Sequence, residues 1–113
     1  MKPEDRIRIR HLMDAATTAQ QFVDGRDRSD LGADEMLRLE LTKLVEIVGE
    51  AAKQVSVEGR SEFPNVPWSA AARTRDGLVH HYFDIDLDVL WVTVTEDIPA
   101  LLRELPDVVG MWS

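Results

Sequence analysis

The strongest constraint on the fold is an apolar period that runs through residues 33–57. Apolar side chains recur there at spacings of three and four, which is typical of one face of an amphipathic helix. Gly49 lies inside this segment, where glycine costs about 1 kcal/mol relative to alanine, and it predicts that another backbone approaches closely. The apolar face consists of Leu37, Leu41, Leu44, Val45, Val48, Ala51, Ala52 and Val55. The sequence therefore predicts a long helix with one buried face.

A second helix is predicted at residues 3–24, followed by a polar loop at residues 26–33. Arg6 and Arg10 are four residues apart and share one side of this helix, either as solvated surface or as a contact to an RNA backbone. The apolar stripe of the helix consists of Ile9, Leu12, Met13, Ala16, Ala19 and Val23. This spacing predicts that the helix packs on the same core as residues 33–57.

Two further helices complete the predicted fold. The third opens at Trp68, after a loop at residues 58–67 that contains two prolines. Residues 86–104 include several strand-forming side chains, but a strand there would have no partner elsewhere in the chain. We therefore predict a helix for residues 86–104, bent at Pro99. The expected fold class is all-α, with four to five helices in a single domain over residues 1–113.

Composition narrows the class of function. The chain is 44% hydrophobic and 30% charged, as expected for a globular protein, and it has no cysteine. No apolar run approaches the roughly 20 residues that span a bilayer, and the charged N-terminus is unlike a secretory signal, so we expect a cytoplasmic protein. The formal net charge of −8 argues against a broad electrostatic grip on nucleic acid. The acidic stretch at residues 84–113 suits solubility or a basic partner protein.

The side chains suited to chemistry are concentrated at Arg75, His80 and Tyr82, with His81 alongside. Cleaving RNA without a metal requires a base, an acid and a cation. Histidine suits the proton transfers because its pKa lies near neutrality, and arginine suits the charge on the phosphate. Carboxylates at metal-ligand spacing are absent from this stretch, so neither a metal nor a cofactor is predicted. Taken alone, the spacing also fits a helix end with surface histidines.

The geometry of a continuous helix separates the two candidate catalytic groups. Arg75 and His80 would lie about 140° apart around the helix axis, so one straight helix does not bring them together. Either Gly77 bends the backbone, or two copies of the chain meet across a twofold axis and complete one site. The apolar surplus of the chain favours the dimer. Glu50 has two open interpretations, an exposed helix residue or a buried partner for an arginine.

Four stretches in order resemble the HepT-like branch of the HEPN superfamily, over roughly residues 6–104. They are VGEAAKQVS at 48–56, PNVPW at 64–68, RDGLVHHYF at 75–83 and VLW at 89–91. The resemblance implies an all-helical homodimeric bundle with an Arg-x4-His-x-Tyr motif at the end of the third helix. It also implies a metal-independent ribonuclease toxin, with RNA as substrate and a minimal nucleotidyltransferase (MNT) antitoxin as partner.

The resemblance assigns a role to each residue of the motif. Arg75 and His80 would be the catalytic pair, and Tyr82 would receive AMP groups from the antitoxin. The alternative for Tyr82 is a ring packed in the core with its hydroxyl bonded to the backbone. Asp76 stands where asparagine is usual, and its carboxylate lowers the local positive potential. His81 stands where glycine is common and adds a second titrating group.

Two functions from different classes follow from these observations. The first is a dimeric ribonuclease toxin, which the complete set of Arg75, His80 and Tyr82 favours, with Glu50, Asp76 and His81 in supporting positions. The second is a helical interaction module without catalytic activity that binds a partner or a nucleotide. The net charge of −8 favours the second, because a nuclease gains affinity from a basic surface.

Overall fold

The structure is a computed structural model that describes residues 1–74, 79–81 and 84–105, with only the backbone described at 79–81 and 84. Within these ranges the chain is mostly helical, which confirms the predicted all-α class. The helices are α1 (Pro3–Val23), α2 (Arg28–Ala33), α3 (Glu35–Gln54), α4 (Val57–Ser61), α5 (Trp68–Arg73), α6 (Leu87–Val92) and α7 (Ile98–Arg103). A π-helical turn (Thr93–Asp97) joins α6 to α7, and a short antiparallel pair, β1 (Val79–His81) and β2 (Asp84–Ile85), lies between α5 and α6.

The core forms where α1 packs along α3. Both predicted apolar faces are confirmed, because their central residues are buried in one hydrophobic cluster. Burying each large aliphatic side chain in such a cluster contributes about 1.5–3 kcal/mol. From α1 and α3 the cluster takes Ile9, Leu12, Ala15, Ala16, Ala19, Leu37, Leu41, Val45, Val48, Ala51 and Ala52. The two helices thus provide the surface on which the other helices pack.

The polar segment at residues 26–33 was predicted to be a loop, and this prediction is wrong. It contains helix α2, one side of which buries Leu31. Asp27 caps the helix by accepting the backbone N–H of Ser29 at 3.1 Å, while Asp30 accepts the backbone N–H of Asp27 at 2.8 Å. These hydrogen bonds satisfy donors that a helix N-terminus leaves unpaired, so a short polar segment can remain helical.

A buried carboxylate ties the start of α1 to the start of α4. Asp5 is 2% exposed and accepts two hydrogen bonds from Ser56, from the backbone N–H at 2.8 Å and from Oγ at 2.5 Å. Ser56 Oγ also accepts the backbone N–H of Gly59 at 3.1 Å, which caps α4. Burial of Asp5 opposes its ionisation, but the bonds from Ser56 and the positive charge of Lys2 prevail and lower its pKa.

The connection between α4 and α5 is fixed by one arginine and one tryptophan. The Arg60 guanidinium donates to the carbonyl oxygens of Val55 at 3.1 Å, Ala52 at 3.0 Å and Lys53 at 3.2 Å, and so caps the C-terminus of α3. Trp68 is buried, and its Nε1 donates to the Phe63 carbonyl at 3.0 Å and to the Arg60 carbonyl at 3.2 Å. The loop therefore holds the first turn of α5 against the end of α3.

The helix predicted for residues 86–104 is confirmed, with Asp86 as its N-cap. Its distortion is a π-helical turn just before Pro99, in which the Ile98 N–H bonds to the Thr93 carbonyl. Pro99 lacks an N–H and its ring crowds the preceding turn, and a wider turn relieves both problems. The buried face consists of Leu90, Val94, Ile98 and Leu101. None of the described helices combines the length and apolarity needed to cross a bilayer.

Candidate active site

The approach to the candidate motif is a close contact between α3 and α5. A Cβ atom at Gly49 would lie 3.2 Å from Thr74 Oγ1, and 3.5 and 3.6 Å from the carbonyl oxygens of Ala71 and Ala72. The predicted reason for this glycine, close approach of another backbone, is confirmed. Thr74 is the last described residue before Arg75, and its Oγ1 donates to the Ala71 carbonyl at 2.8 Å. The end of α5 is therefore set by its contact with α3.

The described backbone on either side of residues 75–78 is not one continuous helix. Helix α5 ends at Arg73, and the backbone at residues 79–81 is extended and paired with β2. The prediction that the motif ends a helix is therefore wrong for the backbone of His80 and His81, which lie in β1. Hydrogen bonding to a neighbouring strand replaces the helical bonds that the sequence pattern predicted at this point.

Most side chains of the predicted site lie outside what the structure describes. Arg75, Asp76 and Tyr82 belong to that part of the chain, and His80 and His81 are described by their backbone alone. The strand pair matches Val79 with Ile85 and His81 with Asp84. The predicted meeting of an arginine with a histidine, whether through a bend or across a twofold axis, stays a prediction.

Glu50 is the one predicted site residue whose side chain the structure describes. It is half-buried on α3, next to Gly49, and one of its carboxylate oxygens accepts a hydrogen bond from Gln54 Nε2 at 3.0 Å. With Arg8 and His11 of α1 it lines a surface depression of about 140 Å³. Glu50 is therefore neither fully exposed nor fully buried.

A cleft of about 210 Å³ runs alongside α5, from Pro67 to Thr74. Apolar side chains of α3, α5 and α7 form most of its wall, and Thr74 and Asp97 are the polar residues at its edge. The lining residues are Val48, Pro67, Ala70, Ala71, Thr74, Asp97, Ile98, Ala100 and Leu101. Within the described ranges, no group of three or more His, Cys, Asp or Glu side chains is placed to hold a metal ion.

Comparison with known proteins identifies the family. A family model described as Ribonuclease HepT-like matches residues 12–108, which include the whole predicted motif. The chain belongs to the HepT-like ribonuclease family. No solved structure gives a significant match to this HepT-like chain.

Individual relatives agree with the family assignment. A Methanocaldococcus jannaschii protein named as a candidate RNase is 33% identical over 94 residues, which cover 83% of this chain and 86% of the relative. A Thermococcus cleftensis protein named as a candidate ribonuclease HepT is 34% identical over 101 residues, 89% of this chain and 92% of the relative. Another M. jannaschii protein, named as a gamma-glutamylcyclotransferase and candidate RNase, is 29% identical over 105 residues. That match covers 93% of this HepT-like chain but only 47% of the relative.

Sequence reasoning missed the surface beside Glu50. Arg8 and His11 face the groove between α1 and α3, whereas the pattern of α1 had singled out only Arg6 and Arg10. The signal was present in the run RIRIRH at residues 6–11, where four basic or titratable side chains follow each other closely. It could not be assigned to a side of α1 before the position of α3 was known.

Proposed function

We propose that this HepT-like chain is the single-domain toxin of a HepT/MNT (type VII) toxin–antitoxin system, an endoribonuclease that cleaves RNA without a metal. The observation that carries the proposal is the complete set of Arg75, His80 and Tyr82 inside the matched range of the family. The relatives named as candidate RNases support the reaction class.

The proposed chemistry divides between two side chains. His80 transfers protons, accepting one from the 2′-hydroxyl or giving one to the leaving 5′-oxygen, and such help is worth about 10² to 10⁴ in rate. Arg75 stabilises the charge that develops on the phosphate, which is typically worth a few kcal/mol. Asp76, His81 and Glu50 take supporting positions, with Asp76 orienting Arg75.

The site requires two copies of the chain in this proposal. A homodimer would supply Arg75 and His80 from facing protomers and complete one cleft. Light scattering at micromolar concentration should give twice the mass of the chain. A monomeric mass would count against the dimer, and with it against a site shared between protomers.

Tyr82 is the proposed point of regulation by the antitoxin. Transfer of AMP from ATP to the Tyr82 hydroxyl forms a phosphodiester and releases pyrophosphate. The added group is bulky and negative, so it would block RNA and compete for Arg75. Intact-mass measurement after co-expression with the nucleotidyltransferase should show AMP addition, and Tyr82→Phe should stay toxic without it. Silencing of an unmodified chain would mean that complex formation alone neutralises the toxin.

Expression of the chain in bacteria tests the catalytic assignment. The unaltered chain should slow growth and degrade RNA, whereas Arg75→Ala and His80→Ala should do neither while keeping the same helix content by circular dichroism. Unfolding of either variant would mark the residue as structural instead. Activity that survives a chelating agent would support metal independence, and a soluble active chain would fit a cytoplasmic location.

The second candidate is a helical interaction module without nuclease activity. The net charge of −8 favours it, because RNA binding gains from a basic surface. The two candidates differ in the behaviour of the chain expressed alone. Absence of any growth defect or RNA decay would favour the interaction module.

A further inference from the structure

The first part of α1 concentrates positive charge in an acidic protein. Lys2, Arg6, Arg8 and Arg10 fall within nine positions, although the chain as a whole carries a formal charge of −8. Of the two acidic residues in the same stretch, Asp5 is buried and engaged by Ser56, so its side chain is withdrawn from the surface. The Asp5 carboxylate is therefore not exposed beside the basic side chains.

The basic side chains surround a shallow surface with some apolar character. Arg6, Ile7, Arg10 and His11 line a depression of about 380 Å³, together with Pro3. Ile7 is 52% exposed, so its side chain lies open to solvent between the cations. Neither Arg8 nor Arg10 forms an ion pair with any residue in the described ranges. Their guanidinium groups are thus available to an external anion.

His11 connects this depression to the groove between α1 and α3. It lines the depression with Arg8 and Glu50, and also a third one of about 410 Å³ with Asp14, Leu44 and Ile47. The name α1 track is used here for the surface of Arg6, Ile7, Arg8, Arg10 and His11. The track reaches α3 at Glu50.

We infer that the α1 track binds the backbone of single-stranded RNA. Guanidinium groups bind phosphate oxygens, and the His11 ring offers a face on which a base can stack. Cations interleaved with a stacking ring are the usual means of holding single strands without sequence preference. An anionic bilayer fits less well, since Ile7 is the only large exposed apolar side chain within the track. The inference rests on the proposed function.

Binding can be measured without cleavage in a His80→Ala background. Anisotropy of a labelled 20-nucleotide single-stranded RNA, titrated at several salt concentrations, gives the affinity and its salt dependence. In this background, Arg8→Gln with Arg10→Gln should lower the slope of log K against log salt by about 1.4, because each lost phosphate contact removes about 0.7. His11→Ala should weaken binding about fivefold or more if its ring stacks on a base.

The matched control is the pair Arg26→Gln with Arg28→Gln. It makes the same change in formal charge just beyond the other end of α1, where the two arginines pair with Asp34 and Asp88. We expect little change in the salt slope for this control. An equal decrease in the salt slope in both double variants would reveal a general charge effect and overturn the track. An unchanged salt slope in the Arg8 and Arg10 variant would overturn it as well.

Two further measurements distinguish RNA binding by the track from membrane binding and from a failure of the proposed function. Binding to phosphatidylserine vesicles that depends on Arg8 and Arg10, without an effect on RNA, would assign the surface to membranes and overturn the inference. With His80 intact, cleavage of long RNA should fall more in the double variant than cleavage of a dinucleotide, which is too short to span the track. Failure of the unaltered chain to cleave any RNA would refute the proposed function, while the anisotropy result would still decide RNA binding.

Discussion

Gly49→Ala should disturb activity more than stability. The new Cβ would lie 3.2 Å from Thr74 Oγ1, tighter than an ordinary contact, while the Ala71 and Ala72 carbonyl oxygens at 3.5 and 3.6 Å are normal neighbours. Alanine gains about 1 kcal/mol over glycine in a helix interior. Overpacking typically costs about 1–3 kcal/mol. We therefore expect a net loss of about 1 kcal/mol in the free energy of unfolding.

The effect on cleavage should be larger, because Thr74 immediately precedes Arg75, the proposed catalytic arginine. Thr74 must yield by roughly a few tenths of an ångström, and a misplacement of about 1 Å at a catalytic group can cost about 10² in rate. We expect a loss of about tenfold in kcat on labelled RNA. A domain with about 5–15 kcal/mol of stability stays more than 99% folded after losing about 1 kcal/mol, so unfolding cannot explain that loss.

A second substitution tests the cause. Thr74→Ala removes the crowding Oγ1, and with it the hydrogen bond to the Ala71 carbonyl, so alone it should cost about 0.5–1.5 kcal/mol. The double variant of Gly49→Ala and Thr74→Ala should recover most of the kcat. By urea denaturation, it should lose less free energy of unfolding than the sum of the two single variants. Two results would refute the crowding of Thr74 as the cause. Gly49→Ala could be stabilised by the full helix preference of alanine with an unchanged kcat, or the double variant could be no faster than Gly49→Ala.

Three predictions concern the connections around α4. Asp5→Asn should destabilise the protein at neutral pH. The pKa of Asp5 is lowered in the folded state. The difference in free energy of unfolding between the variant and the unaltered chain, measured by urea denaturation, should therefore be largest above the ordinary pKa of 3.8 and shrink as the pH falls below it. Gly59→Ala should cost about 1–3 kcal/mol or more by the same measurement, because its Cβ would lie 2.7 Å from Asp5 Oδ2 and 2.9 Å from Val55 Cγ1, and a neutral result would contradict that packing. Arg60→Met should lower the melting temperature by removing three hydrogen bonds to the end of α3, whereas Arg60→Lys should restore only part of it.

Periodicity predicted the long elements well because each has one buried face. The faces of α1, α3 and the helix after Asp86 could be read from spacings of three and four, and Gly49 could be read as a close approach. Helix α2 could not be predicted from spacing, because only Leu31 in its six residues is buried and its stability comes from capping hydrogen bonds. Apolar periodicity indicates a buried face, but it carries no signal for capping hydrogen bonds in a polar segment.

The candidate site was harder to predict than the fold. The residue types at 75–82 indicated the chemistry, but the end of α5 at Arg73 and the extended backbone at β1 depend on pairing with β2 and contact with α3. Such tertiary contacts override local preference. The position of Arg8 and His11 beside Glu50 likewise required the packing of α1 on α3. The sequence predicted the candidate reacting groups, and the packing of the helices determined the surroundings of Glu50, whose side chain is described.

The bond between Asp5 and Ser56 has a consequence for the order of folding during synthesis. The two residues are 51 positions apart, so α1 leaves the ribosome long before its buried carboxylate can find a donor. Until then, the Asp5 carboxylate lacks both of its Ser56 donors, so the contact between the start of α1 and the start of α4 cannot form. The joint packing of α1, α3 and α4 should therefore be completed only once residue 56 has emerged.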